Sequence, residues 1–184
     1  MQTWTQVGPI NTAATVDAAV ARAKELGIKH VVVASNTGDT ARWFLDRGLE
    51  VVCVTHQVGF RSPGMDEMSA ETRQEFVAKG IKVHTGTHLF RGITRAFSNA
   101  HQGFDAARVV ADTLYLFGQG TKVAVEIAVM ALDAGLIPYG EDVIAVGGTG
   151  RGADTAIVIR PAHSGEFLKT QIREIICKPW VTGK

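Results

Sequence analysis

The stretch His30-Val31-Val32-Val33-Ala34-Ser35-Asn36-Thr37-Gly38-Asp39-Thr40-Ala41-Arg42 constrains the fold more than any other part of the chain. Its opening run of β-branched residues does not alternate with polar ones, so it reads as a strand buried on both faces, the hallmark of a parallel sheet. The run breaks into hydroxyls, an amide and Gly38, and Ala41, Phe44 and Leu45 then recur at helical spacing. A strand, a tight loop and a helix follow in that order. The amino end of a helix presents unpaired N–H groups and a partial positive charge. With Gly38 allowing close backbone approach, the Ser35–Thr40 loop is a seat for a phosphate. The plainer alternative is that Asn36 or Thr37 merely caps the helix. Asp39 counts against the phosphate, because its carboxylate competes with a bound anion.

The rest of the chain is read in order. Residues Met1 to Ile10 read as an arm containing Trp4. Asn11 to Gly27 reads as a helix, with Val16, Ala19, Val20, Ala23 and Leu26 on one stripe and Gly27 as its C-cap. Ile28–Ala34 is the first predicted strand, and a helix near Asp39–Arg47 follows it, ended by Gly48. Glu50–Thr55 is the second strand and Thr55–Gly64 a long irregular connection. Ser69 caps a helix through Lys79, Ile81–Thr85 is the third strand, and Gly86–Gly92 is another glycine-punctuated loop. Alternating strands and helices imply a parallel sheet with right-handed crossovers.

Ile93–Gln102 is ambiguous and partly helical, Asp105–Phe117 is a helix ended by Gly118, and Thr121–Leu136 is a helix apolar on nearly every side. Glu126 sits in the middle of that last helix, and the plain reading pairs it with a nearby Lys or Arg. Asp142–Gly147 is the fourth strand and Thr155–Arg160 the fifth. Only Gly148-Thr149-Gly150-Arg151-Gly152-Ala153-Asp154 separates them, too short for a crossover helix, so they pair antiparallel. Pro161–Glu166 reads as a loop and Ile172–Lys178 as a sixth strand. No repeat or interdomain linker interrupts residues 1–184, which read as one domain.

In open α/β sheets, ligands sit beyond the carboxyl ends of the strands, where the strand order reverses. With the fourth strand on the far side of the first, the loops flanking the reversal are Ser35–Thr40 and Gly147–Thr155. Both are rich in glycine and hydroxyls, and Arg151 could close over a phosphate with a charge-assisted bond. Gly148-Thr149-Gly150-Arg151-Gly152 leads into a strand and not a helix, so it is no dinucleotide fingerprint, and no P-loop sequence occurs.

His56, His84 and His88 lie at or just past the ends of the second and third strands. Three imidazoles can hold zinc, though ordinary loop histidines are the plainer reading and no metal ligand is assigned. Phe60 and Phe90 could flank a flat aromatic ligand or anchor their loops. With 19 basic and 18 acidic residues and no basic run, nothing points to nucleic acid or a membrane surface. Two cysteines outside any C-x-x-C pair argue against a disulfide framework, and no apolar run reaches transmembrane length. A soluble, cytoplasmic protein is the default expectation. Exposed Val and Ile on an edge strand would favour a homo-oligomer.

The helix followed by Lys29–Ser35 and Thr37-Gly38-Asp39-Thr40-Ala41-Arg42 resembles the start of the C-terminal domain of pyruvate kinase. The strand–glycine loop–strand unit Val143–Ile159 resembles that domain's closing hairpin. The segments His56-Gln57-Val58-Gly59-Phe60, Gly86-Thr87-His88 and Phe117-Gly118-Gln119-Gly120-Thr121-Lys122-Val123-Ala124-Val125-Glu126 resemble a stand-alone prokaryotic family of such domains. The resemblance implies a three-layer α/β/α fold with strand order 3-2-1-4-5. It also implies that loops matching Ser35–Thr40 and Gly148–Thr155 can hold a sugar-phosphate effector. The kinase's active-site barrel has no counterpart in these residues, so no pyruvate kinase activity is expected.

By likeness to the stand-alone relatives, the ligand is flavin mononucleotide (FMN). Its phosphate would rest on Asn36, Thr37, Gly38 and Thr40, beside Ser35, Gly148, Thr149, Gly150, Arg151 and Thr155. Its ring would lie toward His56, Gly59, Phe60, Thr87 and His88. The alternatives are an FMN-dependent oxidoreductase, a regulatory module sensing a sugar phosphate, and a metal-dependent hydrolase built on the histidine loops. No catalytic residue is assigned.

Overall fold

A computed structural model of the chain describes residues 1–181. The elements run β1 (Gln2–Trp4), α1 (Thr12–Leu26), β2 (His30–Ala34), α2 (Asp39–Arg42), β3 (Glu50–Thr55), α3 (Ala70–Ala78), β4 (Lys82–Thr85), α4 (Ile93–His101), α5 (Ala106–Tyr115), α6 (Gln119–Asp133), β5 (Val143–Gly147), β6 (Thr155–Arg160) and β7 (Gln171–Pro179). They build one seven-stranded sheet in the order β1-β7-β6-β5-β2-β3-β4. The four strands β5, β2, β3 and β4 are mutually parallel, and β6 runs antiparallel to both of its neighbours. The first five predicted strands take the expected order, 3-2-1-4-5, and the sixth, β7, lies beyond the fifth. The reversal between β2 and β5 falls where the two glycine loops emerge.

Alternate side chains on the central strands serve opposite faces. Val31, Val33, Val51, Cys53, Ile144 and Val146 pack against Val16, Ala19, Val20 and Ala23 of α1 and Phe76 of α3. Val32, Val52, Val54, Val143 and Ala145 pack against Ala124, Ile127, Ala128 and Ala131 of α6. The result is an α/β/α sandwich. Strands buried on both faces explain the unbroken valine runs. Helix α6 sits unusually close to the sheet. A Cβ at Gly120 would lie 2.1 Å from Thr155 Oγ1, and one at Gly147 would lie 2.4 Å from the Gly120 carbonyl oxygen. Only glycine lets the first turn of α6 settle on the β5–β6 turn.

Several boundaries differ from the sequence reading. The arm contains β1, which pairs parallel with β7 from the far end of the chain, and Trp4 Nε1 donates to the Asp154 carbonyl at 2.8 Å. Helix α2 stops at Arg42 and not at Arg47. The following turns are closed by three-residue bonds, Trp43 to Thr40, Phe44 to Ala41 and Leu45 to Arg42, and Asp46 takes a left-handed φ of 58°. Helix α6 begins at Gln119 and ends at Asp133. The segment read as the loop Pro161–Glu166 carries a short 3-10 helix at Ser164–Lys169. The edge strands are β1 and β4, and neither exposes a row of Val and Ile. No helix among the described residues is long and apolar enough to cross a membrane.

Candidate functional site

The loops after β2, β3, β4 and β5 emerge on one edge of the sheet and enclose a cleft of about 340 Å³. That is within the range of small-molecule sites, about 300–1,000 Å³. Ser35, Asn36, Thr37 and Thr40 line it from one loop, and Gly148, Gly150, Arg151 and Gly152 from the other. His56, in contact with the Asn36 side chain, and His88 line it as well, as do Gln119, Val123 and Ile127 from successive turns of α6. The two loops singled out from the sequence therefore share one cavity.

The first loop is capped by its first residue. Ser35 Oγ accepts the N–H groups of Thr40 and Ala41 at 3.1 and 3.3 Å, a task the sequence reading offered to Asn36 or Thr37. Among the described residues, the N–H groups of Asn36, Thr37, Gly38 and Asp39 meet no protein acceptor. Helix α2 is a single turn, so few peptide dipoles add there, and an anion's main partners would be these loop N–H groups. Gly38 has φ 94°, and a Cβ there would lie 2.8 Å from both Phe76 and Thr72. Its glycine is required by the backbone and by α3, not by close approach of a ligand. Thr37 Oγ1 donates to Asp39 Oδ2 at 2.7 Å, and Arg42 engages the other Asp39 oxygen at 3.2 Å. Arg42 also meets Glu75 at 2.8 Å.

The second loop hangs on Asp154, which is fully buried. Its Oδ2 accepts the N–H groups of Gly8 and Thr149 at 2.9 and 3.1 Å, and Oδ1 accepts the Thr155 hydroxyl at 2.8 Å. Thr149 and Thr155 therefore hold the loop's shape behind the cleft wall. Arg151 is exposed at the tip and, among the described residues, pairs with no carboxylate.

The His56 ring stacks on Phe60 with centroids 3.7 Å apart. Arg91 lies over Phe60 at 4.6 Å, and the His88 ring is 5.3 Å from His56. Phe60 thus backs His56 without lining the cleft. Gly59 makes the turn that returns to Met65, and Thr87 is exposed beside His88. Burial lowers the His56 pKa below its ordinary value, while the hydrogen bond and charge of Glu67 pull it upward. His84, also lowered by burial and by His88, lies outside the lining. Among the described residues, no three metal-ligating side chains converge as a cage.

Behind His88 lies a buried ion pair. Lys122 Nζ donates to Glu126 Oε2 at 2.5 Å, and the Phe90 N–H donates to Oε1 at 3.0 Å. His88 Nδ1 is 3.4 Å from Oε2. Burial pushes the Glu126 pKa up, but His88 and Lys122 outweigh it and leave the carboxyl at about 2. The plain reading of Glu126, a carboxylate paired with a nearby cation, is what the structure contains. This pair ties the His88 loop to α6.

A family model described as pyruvate kinase, alpha/beta domain, matches residues 13–159. The chain belongs to the pyruvate kinase alpha/beta domain family. Two similar solved structures are pyruvate kinases from Cryptosporidium parvum. One is 18% identical over 81% of this chain and 22% of its own, with a TM-score of 0.43. The other, in complex with ADP, is 17% identical over 91% of this chain and 24% of its own, with a TM-score of 0.40. The chain spans about a quarter or less of the pyruvate kinases it matches, and its membership rests on the family model.

In this pyruvate kinase alpha/beta domain, several site residues escaped the sequence reading. Glu67, near the histidines in sequence but given no role, approaches His56 from the segment between β3 and α3, eleven residues along the chain. The only available signal was a carboxylate in a loop that also carries a histidine. Lys122 was legible as the residue one helical turn before Glu126. Gln119, Val123 and Ile127 carry a spacing of four that marks one helix face, but nothing in it says which face meets the cleft.

Proposed function

We propose that the cleft binds a phosphorylated ligand with a flat ring, FMN above all. The phosphate would rest on the N–H groups and hydroxyls of residues 36–40, and the ring would lie toward His56 and His88. One observation supports the reading: the loops 35–40 and 148–152 converge on one cavity that is also lined by an imidazole backed by a phenyl ring. Loop N–H groups without protein acceptors favour an anion. Arg151 supplies a cation free to close over it. The imidazole in the same cavity favours an aromatic ring over a sugar.

Titration with FMN and riboflavin, followed by flavin absorbance and fluorescence, tests the reading. FMN is expected to bind more tightly than riboflavin, and Thr37→Ala to weaken FMN while leaving riboflavin nearly unchanged. A colourless protein that ignores added FMN overturns the flavin assignment, and sugar phosphates are then the next ligands to titrate.

A further inference from the structure

Asn36 and His56 meet twice. The His56 backbone N–H donates to Asn36 Oδ1 at 3.0 Å, and Asn36 Nδ2 lies 3.2 Å from His56 Nε2. A backbone N–H can only donate, so the amide oxygen must face it. The amide nitrogen then faces Nε2, which must be an unprotonated acceptor. The imidazole proton therefore sits on Nδ1, 2.6 Å from Glu67 Oε1. The Glu67 side chain is only 10% exposed, and its second oxygen takes Arg61 Nε at 2.8 Å. Each link dictates the next.

We propose that Arg61, Glu67 and His56 form a positioning chain that aims the Asn36 amide into the phosphate loop, so that ligand retention requires a neutral His56. This rests on the phosphorylated-ligand reading. Asn36 lines the cleft, and its second Nδ2 proton has no protein partner among the described residues. When His56 gains a proton, Nε2–H faces Nδ2–H. Turning the amide over places the NH2 group against the His56 backbone N–H, so a donor again faces a donor. Asn36 must leave, and the loop loses the orientation of its amide.

Other charges surround the imidazole. Glu67 and Arg61 come from its own connection, and His88 from the loop after β4, with Glu126 and Lys122 of α6 behind it. Arg91 lies across Phe60. Asp39 sits on the Asn36 loop. Among the described residues, Glu67 alone contacts the ring as an anion, and burial opposes it. Loss of the ligand therefore sets in on acidification, below the ordinary histidine value.

Nitrogen NMR of the ligand-free full chain tests the chain of bonds without any ligand. The expected result is a His56 tautomer with the proton on Nδ1. Asn36→Asp replaces the opposed donor with a carboxylate that accepts from both His56 N–H groups, so the His56 pKa should rise by about one unit or more. A proton on Nε2 in the native chain, or a His56 pKa indifferent to Asn36→Asp, overturns the proposal. FMN titration from pH 8 to pH 4.5 tests retention, with His56→Gln as the reference, because the FMN phosphate itself takes up a proton near pH 6. Below the His56 pKa, native affinity should fall about tenfold per pH unit relative to His56→Gln. Parallel pH profiles overturn the coupling. Refusal of FMN at every pH overturns the ligand reading and the retention half with it, whereas the NMR result speaks for the positioning chain alone.

Discussion

Glu126→Gln removes the carboxylate that faces both Lys122 and His88 and keeps the side chain's shape. The glutamine keeps an oxygen for the Phe90 N–H, so the backbone bond survives. Lys122, with its side chain 9% exposed, is left without its carboxylate. Breaking a buried pair by removing one partner costs about 3–5 kcal/mol. The rings of Phe90 and Tyr115 lie 5.3 and 5.9 Å from Nζ and return part of this, on the order of 1 kcal/mol. The expected loss is about 2–4 kcal/mol, a melting point lower by roughly 4–16 °C for a chain of this length. Thermal melts by circular dichroism and urea titration measure it. The double variant Lys122→Met with Glu126→Gln removes both charges and should recover more than half of the loss. A Glu126→Gln protein within about 0.5 kcal/mol of the native chain would refute the buried-pair reasoning, as would a double variant no better than the single one.

Other outcomes follow from the same structure. Asp39→Asn removes an anion beside the proposed phosphate seat, so FMN should bind about two- to fivefold more tightly at low salt, with riboflavin unchanged. Equal changes for both ligands in the same titration would contradict the seat. Acid should destabilise the fold. The folded Glu126 carboxyl lies at about 2, below its unfolded value, so its contribution is full above the unfolded pKa and is lost as pH falls from about 5 toward 2. Asp66 moves the same way, since the Met68 N–H and Arg73 outweigh its burial. Melting points across this range should fall steadily with pH, and a flat profile would contradict it.

The architecture was legible because valine runs without alternation demand burial on both sides, and the short Gly148–Asp154 connection permits only a hairpin. The helix after Gly38 was overextended because Phe44 and Leu45 keep a helical spacing while Asp46 turns left-handed. Nothing in Gln2-Thr3-Trp4 marks a strand, since its sheet partner β7 lies at the other end of the chain. The cleft loops were found from their glycines and hydroxyls. Their supports, Asp154 beneath one and Glu67 behind the other, were not, because a carboxylate's partners depend on distances the sequence does not carry.

The most direct measurement is a crystal structure of the protein grown with FMN. Phosphate density within hydrogen-bond reach of the N–H groups of residues 36–39, with the ring beside His56, is the predicted result. FMN density away from this cleft, or none in crystals that leave the cleft open, would contradict it.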